Sequence, residues 1–245
     1  MDVLYVVRGD RPELRYSLRS MERNASNVGR VVVAGTDLPG WLSDEVERVE
    51  VPSPFDRKQK NILFAVLSAM GRGAVRGPAL YSSDDHYHLA PVDFDAYPWF
   101  ARPCGYTLPE LPTAYRMSVF MTGPMLLANG LPHARRLDGH WNTHIDSADF
   151  TTVMRATMGF ERTRWGYEPT TPFVAAAIAR GACPGLTFRH DRKLTAEDVA
   201  EGGVDFDEAA GESLGLFSSI PLGKAPRFRA WLETRFPEPC RWEKR

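Results

Sequence analysis

The chain has 245 residues, of which 43% are hydrophobic and 25% are charged. This composition excludes disordered, collagen-like and membrane-embedded classes of protein. The length exceeds the roughly 150 residues of an average domain by too little for two domains, so we expect residues 1–245 to form a single domain. The formal net charge is -1, which at first argues against a nucleic-acid partner.

That near-neutral charge is unevenly distributed along the chain. Residues 196–214 contain seven acids and no Lys or Arg, so the remaining residues carry 30 bases against 24 acids. The total charge therefore does not exclude DNA binding. Most of the bases are arginines, which suits bidentate phosphate recognition, although a GC-rich genome produces the same bias.

The cysteines and the N-terminal sequence bear on the compartment. Cys104, Cys183 and Cys240 are widely spaced and include no CxxC pair, which predicts neither a disulfide framework nor a zinc site. The first residues contain too short an apolar run for a signal peptide, and no segment approaches the roughly 18 apolar residues of a membrane span. We therefore expect a soluble, cytoplasmic protein with no membrane partner.

Hydrophobic periodicity predicts alternating strands and helices in the first ninety residues. Val3–Val7 and Val31–Ala34 are short β-branched runs typical of buried parallel strands. Further strands are predicted at 45–51 and 79–81, and helices after Pro12 and over 58–70. This order predicts an α/β fold with a mixed, mainly parallel sheet flanked by helices.

The sequence becomes less regular beyond residue 90. Prolines and aromatic residues alternate between 91 and 132, which predicts a loop-rich region packed on the sheet. Helices are predicted at 147–158, 171–181 and 227–236, and the acidic stretch at 196–214 is interpreted as a solvated helix or loop. The aromatic residues are either core residues or the lining of a ligand cleft: Tyr97, Trp99, Phe100, Tyr106 and Trp141.

Two adjacent carboxylates, Asp84 and Asp85, follow the predicted strand at 79–81. Like charges this close repel each other unless a cation neutralises them. Mg²⁺ and Mn²⁺ prefer carboxylate oxygens and often add phosphate oxygens from a substrate. The alternative is a surface turn in which one of the two acids caps the next helix. Because ligands of such sheets bind beyond the carboxyl ends of the strands, the pair lies where a site is expected.

Several sequence blocks resemble known enzymes. The segments at 2–3, 15–24, 31–35, 39–42 and 80–85 resemble successive blocks of the Stealth-type sugar-phosphate transferases. The segments at 60–62, 140–144 and 236–243 make the chain more similar to the phage TET-associated glycosyltransferases. Ser83 departs from that pattern, because relatives commonly have Asn or Asp there.

The resemblance implies a fold and an activity. The fold would be GT-A, a Rossmann-like architecture, with residues 1–90 as the nucleotide-sugar half and 91–245 as a loop- and helix-rich acceptor half. The enzyme would use Mn²⁺ or Mg²⁺ and a nucleotide sugar, UDP-linked by expectation, to glycosylate a hydroxymethylated pyrimidine such as 5-hydroxymethylcytosine in DNA. A phage-encoded enzyme would act in the host cytoplasm, and no obligate protein partner is evident.

The resemblance also assigns candidate donor-binding residues at the strand ends and the helix after them. Arg8 would meet the diphosphate, with Asp10 near it, and Asp37 the base or ribose; surface salt bridges are the alternative. Lys60 and Asn61 would touch phosphate or sugar from the head of a helix, with capping as the alternative for Asn61. Asp84 and Asp85 would hold the metal and the donor, and Asp85 is the main catalytic candidate.

His144 is the candidate third metal ligand, because GT-A enzymes often complete the site with a histidine from the C-terminal half. A buried histidine bonded to backbone is the alternative, and His140 and His190 are its rivals. His86 and His88 either line the site or simply follow the strand. Asp146 is a candidate catalytic base, with helix capping as the alternative.

The candidate DNA contact is an arginine cluster near the C-terminus, with a solvated helix face as the alternative. It comprises Arg227, Arg229, Arg235, Arg241 and Arg245. A duplex base is accessible to such an enzyme only when it is flipped out or the strand is single. Two other functions remain open: a Stealth-like sugar or sugar-phosphate transferase acting on a polysaccharide, and a non-catalytic nucleotide-binding module.

Overall fold

A computed structural model describes residues 1–189, 194–200, 203–211, 216–217 and 221–244. The strands are β1 Asp2–Arg8, β2 Ala25–Ser26, β3 Val31–Thr36, β4 Val46–Glu50, β5 Pro78–Ser82, β6 His86–Tyr87, β7 Val92–Asp93, β8 Phe100–Ala101, β9 Thr143–Asp146, β10 Thr187–Phe188 and β11 Leu216–Phe217. The helices are α1 Pro12–Asn24, α2 Lys58–Gly71, α3 Ala114–Ala128, α4 Phe150–Ala156, α5 Thr171–Ala179, α6 Ala196–Val199, α7 Phe206–Gly211 and α8 Pro226–Arg235.

The central sheet has five strands in the order β4-β3-β1-β5-β9. The first four run parallel, and β9 pairs antiparallel with β5. The predicted α/β class and mainly parallel sheet are confirmed. The apolar runs of β1 and β3 are buried on both faces, as expected for central parallel strands.

Helices cover both faces of this sheet because its strand residues alternate between them. Val3 and Tyr5 of β1 face α1, where they pack with Leu14 and Leu18 in one cluster of core residues. Leu4 and Val32 point to the opposite face and pack against α2 in a second cluster. The two layers fix where α1 and α2 begin relative to the strand ends.

The second half of the chain differs more from the predictions. The helix predicted at 147–158 is a 3-10 turn followed by α4, and the helix predicted at 171–181 is α5. Helix α3 was predicted as loop because of its prolines, yet Pro124 lies within it. Strand β9 was also missed, since Thr143, His144 and Asp146 are polar. Within the acidic stretch the structure describes the two short helices α6 and α7.

The C-terminal segment returns to the first helix. Glu243 is buried and accepts hydrogen bonds from Arg19 Nε at 2.6 Å and from Arg15 Nη1 at 2.9 Å. Trp242 and Cys240 are buried in the same core cluster as α1. This segment therefore holds α1 against the sheet. None of the helices in the described ranges has the length and apolar character needed to cross a membrane.

Candidate functional site

A cavity of about 410 Å³ opens at the carboxyl edge of the sheet. Arg8 ends β1, Gly35 lies in β3, Val51 follows β4, and Asp84 and Asp85 follow β5; all five line the cavity. Gly35 has a φ of +145°, and a Cβ there would lie 1.8 Å from the carbonyl oxygen of Val7. Only glycine therefore allows the two strands to approach at the cavity wall.

Asp84 and Asp85 lie side by side in this cavity, where both side chains are half-buried. Burial raises the pKa of Asp84, while Lys58 and Arg11 oppose that rise. Burial also raises the pKa of Asp85, and the charge of Asp84 raises it further. The pair is therefore held at a free-energy cost that a bound cation would offset.

Besides Asp56, which is exposed and pairs with Arg57, the cavity is lined by a further acid that the sequence patterns did not identify, Glu13. It lies in the first turn of α1 and is buried. Its Oε1 accepts a hydrogen bond from the backbone N–H of Leu222 at 2.8 Å. Its Oε2 is buried and has no partner in the described ranges of the chain. An acid in a first turn usually serves the helix dipole at the surface, so the sequence offered no signal of a buried role.

Cationic groups surround the acids. Arg8, Arg11 and Lys58 line the same cavity. Arg11 and Arg57 are the N-cap residues of α1 and α2, and neither caps its helix through the side chain. The first turn of α2 contains no acid but carries Lys58 and Lys60. Because cations at a helix N-terminus are unfavourable, this arrangement favours a bound anion beside the helix.

The other side of the cavity is largely apolar, although Ser53 and Asp56 of the loop after β4 also line it. Val51, Pro52 and Phe55 come from the loop that joins β4 to α2, and Ile62 and Ala65 come from α2 itself. A pocket that combines apolar walls with a few convergent polar groups is typical of small-molecule sites. The arrangement can accept a ligand with one flat apolar part and one anionic part.

Of the predicted donor-binding residues, the structure brings Arg8, Asn61, Asp84 and Asp85 to the cavity. The Asn61 side chain accepts a hydrogen bond from Phe55 N at 3.0 Å and donates to Phe55 O at 2.8 Å. Asn61 therefore shapes the loop before α2 and does not cap the helix, whose N-cap residue is Arg57.

Three other predicted donor-binding residues do not line the cavity. Asp10 accepts a hydrogen bond from Trp41 Nε1 at 2.6 Å. Asp37 occupies a left-handed turn with a φ of 54°. Lys60 is buried, and its Nζ donates to the carbonyl oxygen of Glu161 at 3.0 Å. Asp10 and Lys60 thus have partners outside the cavity, and Asp37 is exposed.

His144 lies in a second cavity, also of about 410 Å³, and not with Asp84 and Asp85. Its ring stacks on Trp99 with centroids 4.1 Å apart, and its Nε2 contacts the carbonyl oxygen of Tyr97 at 2.9 Å. Burial lowers the pKa of His144. The position matches the alternative of a buried histidine bonded to backbone. Among residues that the structure describes, no three His, Cys, Asp or Glu side chains are grouped closely enough to hold a metal ion directly.

Asp146 lines that second cavity too. Its Oδ1 accepts the backbone N–H of Ala148 at 2.9 Å, and its Oδ2 pairs with Arg180 at 3.0 Å. The hydrogen bond from Ala148 is the helix-capping role that was the alternative to a catalytic base. His140 lines neither cavity, and His190 lies outside the described residues.

His86 and His88 are buried rather than open to the cavity. His86 Nδ1 lies 2.8 Å from Asn142 Oδ1, and burial holds the pKa of His88 well below its ordinary value. Tyr97, Phe100 and Trp141 are buried and pack among themselves or against His144, as core residues do. Tyr106 packs against the backbone of α3, where a Cβ on Gly123 would lie 2.8 Å from its ring.

The arginines near the C-terminus are engaged within the chain. Arg227 donates to the carbonyl oxygen of Val204 at 2.8 Å. Arg229 pairs with Glu233, Arg235 with Asp207, and Arg241 with Glu22. Arg245 lies outside the described residues. Arg227, Arg229 and Arg235 lie on α8 and make the contacts of a solvated helix face, whereas Arg241 lies beyond that helix. DNA contact by these arginines stays a prediction.

Comparison of the sequence with known proteins assigns the chain to no family. The chain matches no protein-family model, and no curated protein matches it significantly.

Proposed function

We propose that this chain is a glycosyltransferase of GT-A type that binds a nucleotide sugar and a divalent cation in the cavity at the carboxyl edge of the sheet. The observation that carries the proposal is the pair Asp84 and Asp85, which directly follows β5 and shares one cavity with three cationic side chains. Carboxylates and cationic side chains in one pocket suit a diphosphate ligand that carries a bound divalent cation.

The two sides of the cavity suit the two parts of a nucleotide. The apolar loop after β4 provides a surface for a flat base, and the beginning of α2 provides N–H groups and Lys58 for a diphosphate. Arg8 and Arg11 add guanidinium groups, which bind phosphate oxygens in pairs.

The residues present fit a hard divalent cation. Asp84 and Asp85 supply carboxylate oxygens of raised pKa, and Glu13 Oε2 is a buried acceptor without a partner. Asp84 and Asp85 would hold the cation, which when bound supplies Lewis-acid stabilisation of the departing diphosphate. Arg8, Arg11 and Lys58 orient the diphosphate, and the apolar walls exclude water from it.

The acceptor is proposed from the sequence resemblance: a hydroxymethylated pyrimidine, with 5-hydroxymethylcytosine in DNA as the first choice. The hydroxymethyl group provides the attacking oxygen. The base must be extruded from the duplex or offered on a single strand to reach the cavity.

The test is a transfer reaction with the purified chain, Mn²⁺, a panel of nucleotide sugars and DNA containing 5-hydroxymethylcytosine. Digestion to nucleosides followed by mass spectrometry is expected to reveal a sugar-bearing nucleoside, and Asp85→Asn is expected to abolish it. Asp44→Asn, an exposed acid away from the cavity, is the matched control. Absence of both donor hydrolysis and modified nucleoside in the wild type would refute the proposal.

A further inference from the structure

Glu13 presents a buried carboxylate oxygen that the fold leaves without a partner. The side chain is 5% exposed, and its Oε1 is satisfied by the backbone N–H of Leu222. From the residues that the structure describes, its Oε2 accepts no hydrogen bond. Burying a carboxylate oxygen without a hydrogen bond costs free energy. We therefore expect a ligand bound in the cavity to interact with this oxygen.

A second buried polar atom is the hydroxyl of Tyr87, two residues after Asp85 in the chain. Among the residues that the structure describes, this hydroxyl has no hydrogen-bond partner. Glu13, Asp84 and Asp85 all line the cavity at the carboxyl edge of the sheet.

We infer that Glu13 is the third carboxylate of the cation site, acting on the water shell of a divalent cation held by Asp84 and Asp85. The inference rests on the proposed function and deepens it by assigning a site residue from α1 in place of His144. The three acids, as placed, are not grouped for direct coordination. Mg²⁺ and Mn²⁺ retain several waters when they bind proteins, so a nearby acceptor can hold the cation through one of them.

The hydrogen bond to Leu222 gives Glu13 the fixed orientation that this role needs. One oxygen is committed to the backbone, so the other has a restricted position beside the cavity. Glu13→Gln preserves the acceptor for Leu222 while removing the charge. The substitution therefore separates a structural role from a role toward the cation.

The experiment measures Mn²⁺ binding to the full chain by loss of the free-ion electron paramagnetic resonance signal, with and without UDP. Glu13→Gln is expected to weaken Mn²⁺ binding about 10-fold to 100-fold, the range found for groups that orient metal ligands. Glu13→Asp keeps the charge and is expected to bind Mn²⁺ more tightly than Glu13→Gln does. Glu45→Gln, an exposed acid elsewhere, is expected to bind like the wild type.

The possible outcomes distinguish failure of this inference from failure of the proposed function. Wild-type affinity in Glu13→Gln, alongside loss of binding in Asp85→Asn, would overturn the inference alone. Absence of Mn²⁺ binding in the wild type, with or without UDP, would overturn both.

Discussion

At the scale of single residues, the acids of this chain divide into those that local sequence reveals and those that only the fold reveals. Asp84 and Asp85 were predictable because they are adjacent and follow an apolar strand. Glu13 was not, because its burial depends on Leu222, which is 209 residues away. His144 was predicted from its block of sequence, but the face of β9 that carries it packs against Trp99. Local patterns do not specify which way an edge strand turns its side chains.

Glu168 permits a prediction about pH. It is buried and accepts the backbone N–H groups of Thr170 and Thr171, and burial together with Asp138 raises its pKa to about 7. The folded state therefore binds a proton that the unfolded state releases near its ordinary pKa of 4.5. The contribution of Glu168 to the unfolding free energy is therefore greatest below pH 4.5. It falls by about 3 kcal/mol as the pH rises from 4.5 to about 7.

Glu168→Gln removes this titration while keeping an acceptor for both N–H groups. Urea unfolding at pH 5 and pH 8 should show a smaller loss of unfolding free energy for the variant than for the wild type. Glu161→Gln, on the exposed surface, is the control and should behave like the wild type. Equal losses in Glu168→Gln and the wild type would refute the assignment.

At the scale of elements, helix α2 begins in a way that favours ligand binding over helix stability. Its first turn carries Lys58 and Lys60 with no acid, and Arg57 as N-cap supplies no acceptor. The helix itself was predictable from its apolar face. The use of its N-terminus was not, because it depends on the position of α2 beside β1 and β3. Helix α3 was hidden by Pro124, which tertiary packing tolerates.

Lys58→Gln tests this reading of α2. Removing the cation should weaken UDP binding about tenfold. It should change the unfolding free energy by less than about 1 kcal/mol, because relief of repulsion at the helix N-terminus offsets the lost attraction to Asp84 and Asp85. Calorimetric titration with UDP and thermal melting measure the two effects. Arg116→Gln removes a base from the first turn of α3, away from the cavity, and should leave UDP affinity unchanged. A larger fall in the unfolding free energy of Lys58→Gln, together with a fall in affinity, would instead indicate a structural lysine.

At the scale of the whole molecule, the C-terminal segment contacts α1, the first helix of the chain. Glu243 is buried between Arg15 and Arg19, so the C-terminal segment secures the helix that carries Glu13. The parallel sheet could be predicted from the first ninety residues, because apolar runs and turns alternate there. The closing contacts between residues 13 and 222, and between 19 and 243, could not, because no local periodicity records them.

Glu243→Gln removes both ion pairs and should lower the unfolding free energy by about 2–3 kcal/mol, since it leaves two arginines partly buried without a charge partner. Denaturant unfolding measures this loss. Glu238→Gln, an exposed acid in the same segment, is the control and should change the unfolding free energy by less than about 0.5 kcal/mol. A loss no larger than that of the control would show that the C-terminal segment does not secure α1.

The central claim is that the cavity at the carboxyl edge of the sheet binds a nucleotide diphosphate through a divalent cation. Calorimetric titration of UDP into the purified chain, with and without Mn²⁺, tests it most directly. We predict saturable one-to-one binding that requires Mn²⁺ and disappears in Asp85→Asn. Mn²⁺-independent binding, or equal binding by the wild type and Asp85→Asn, would contradict the claim.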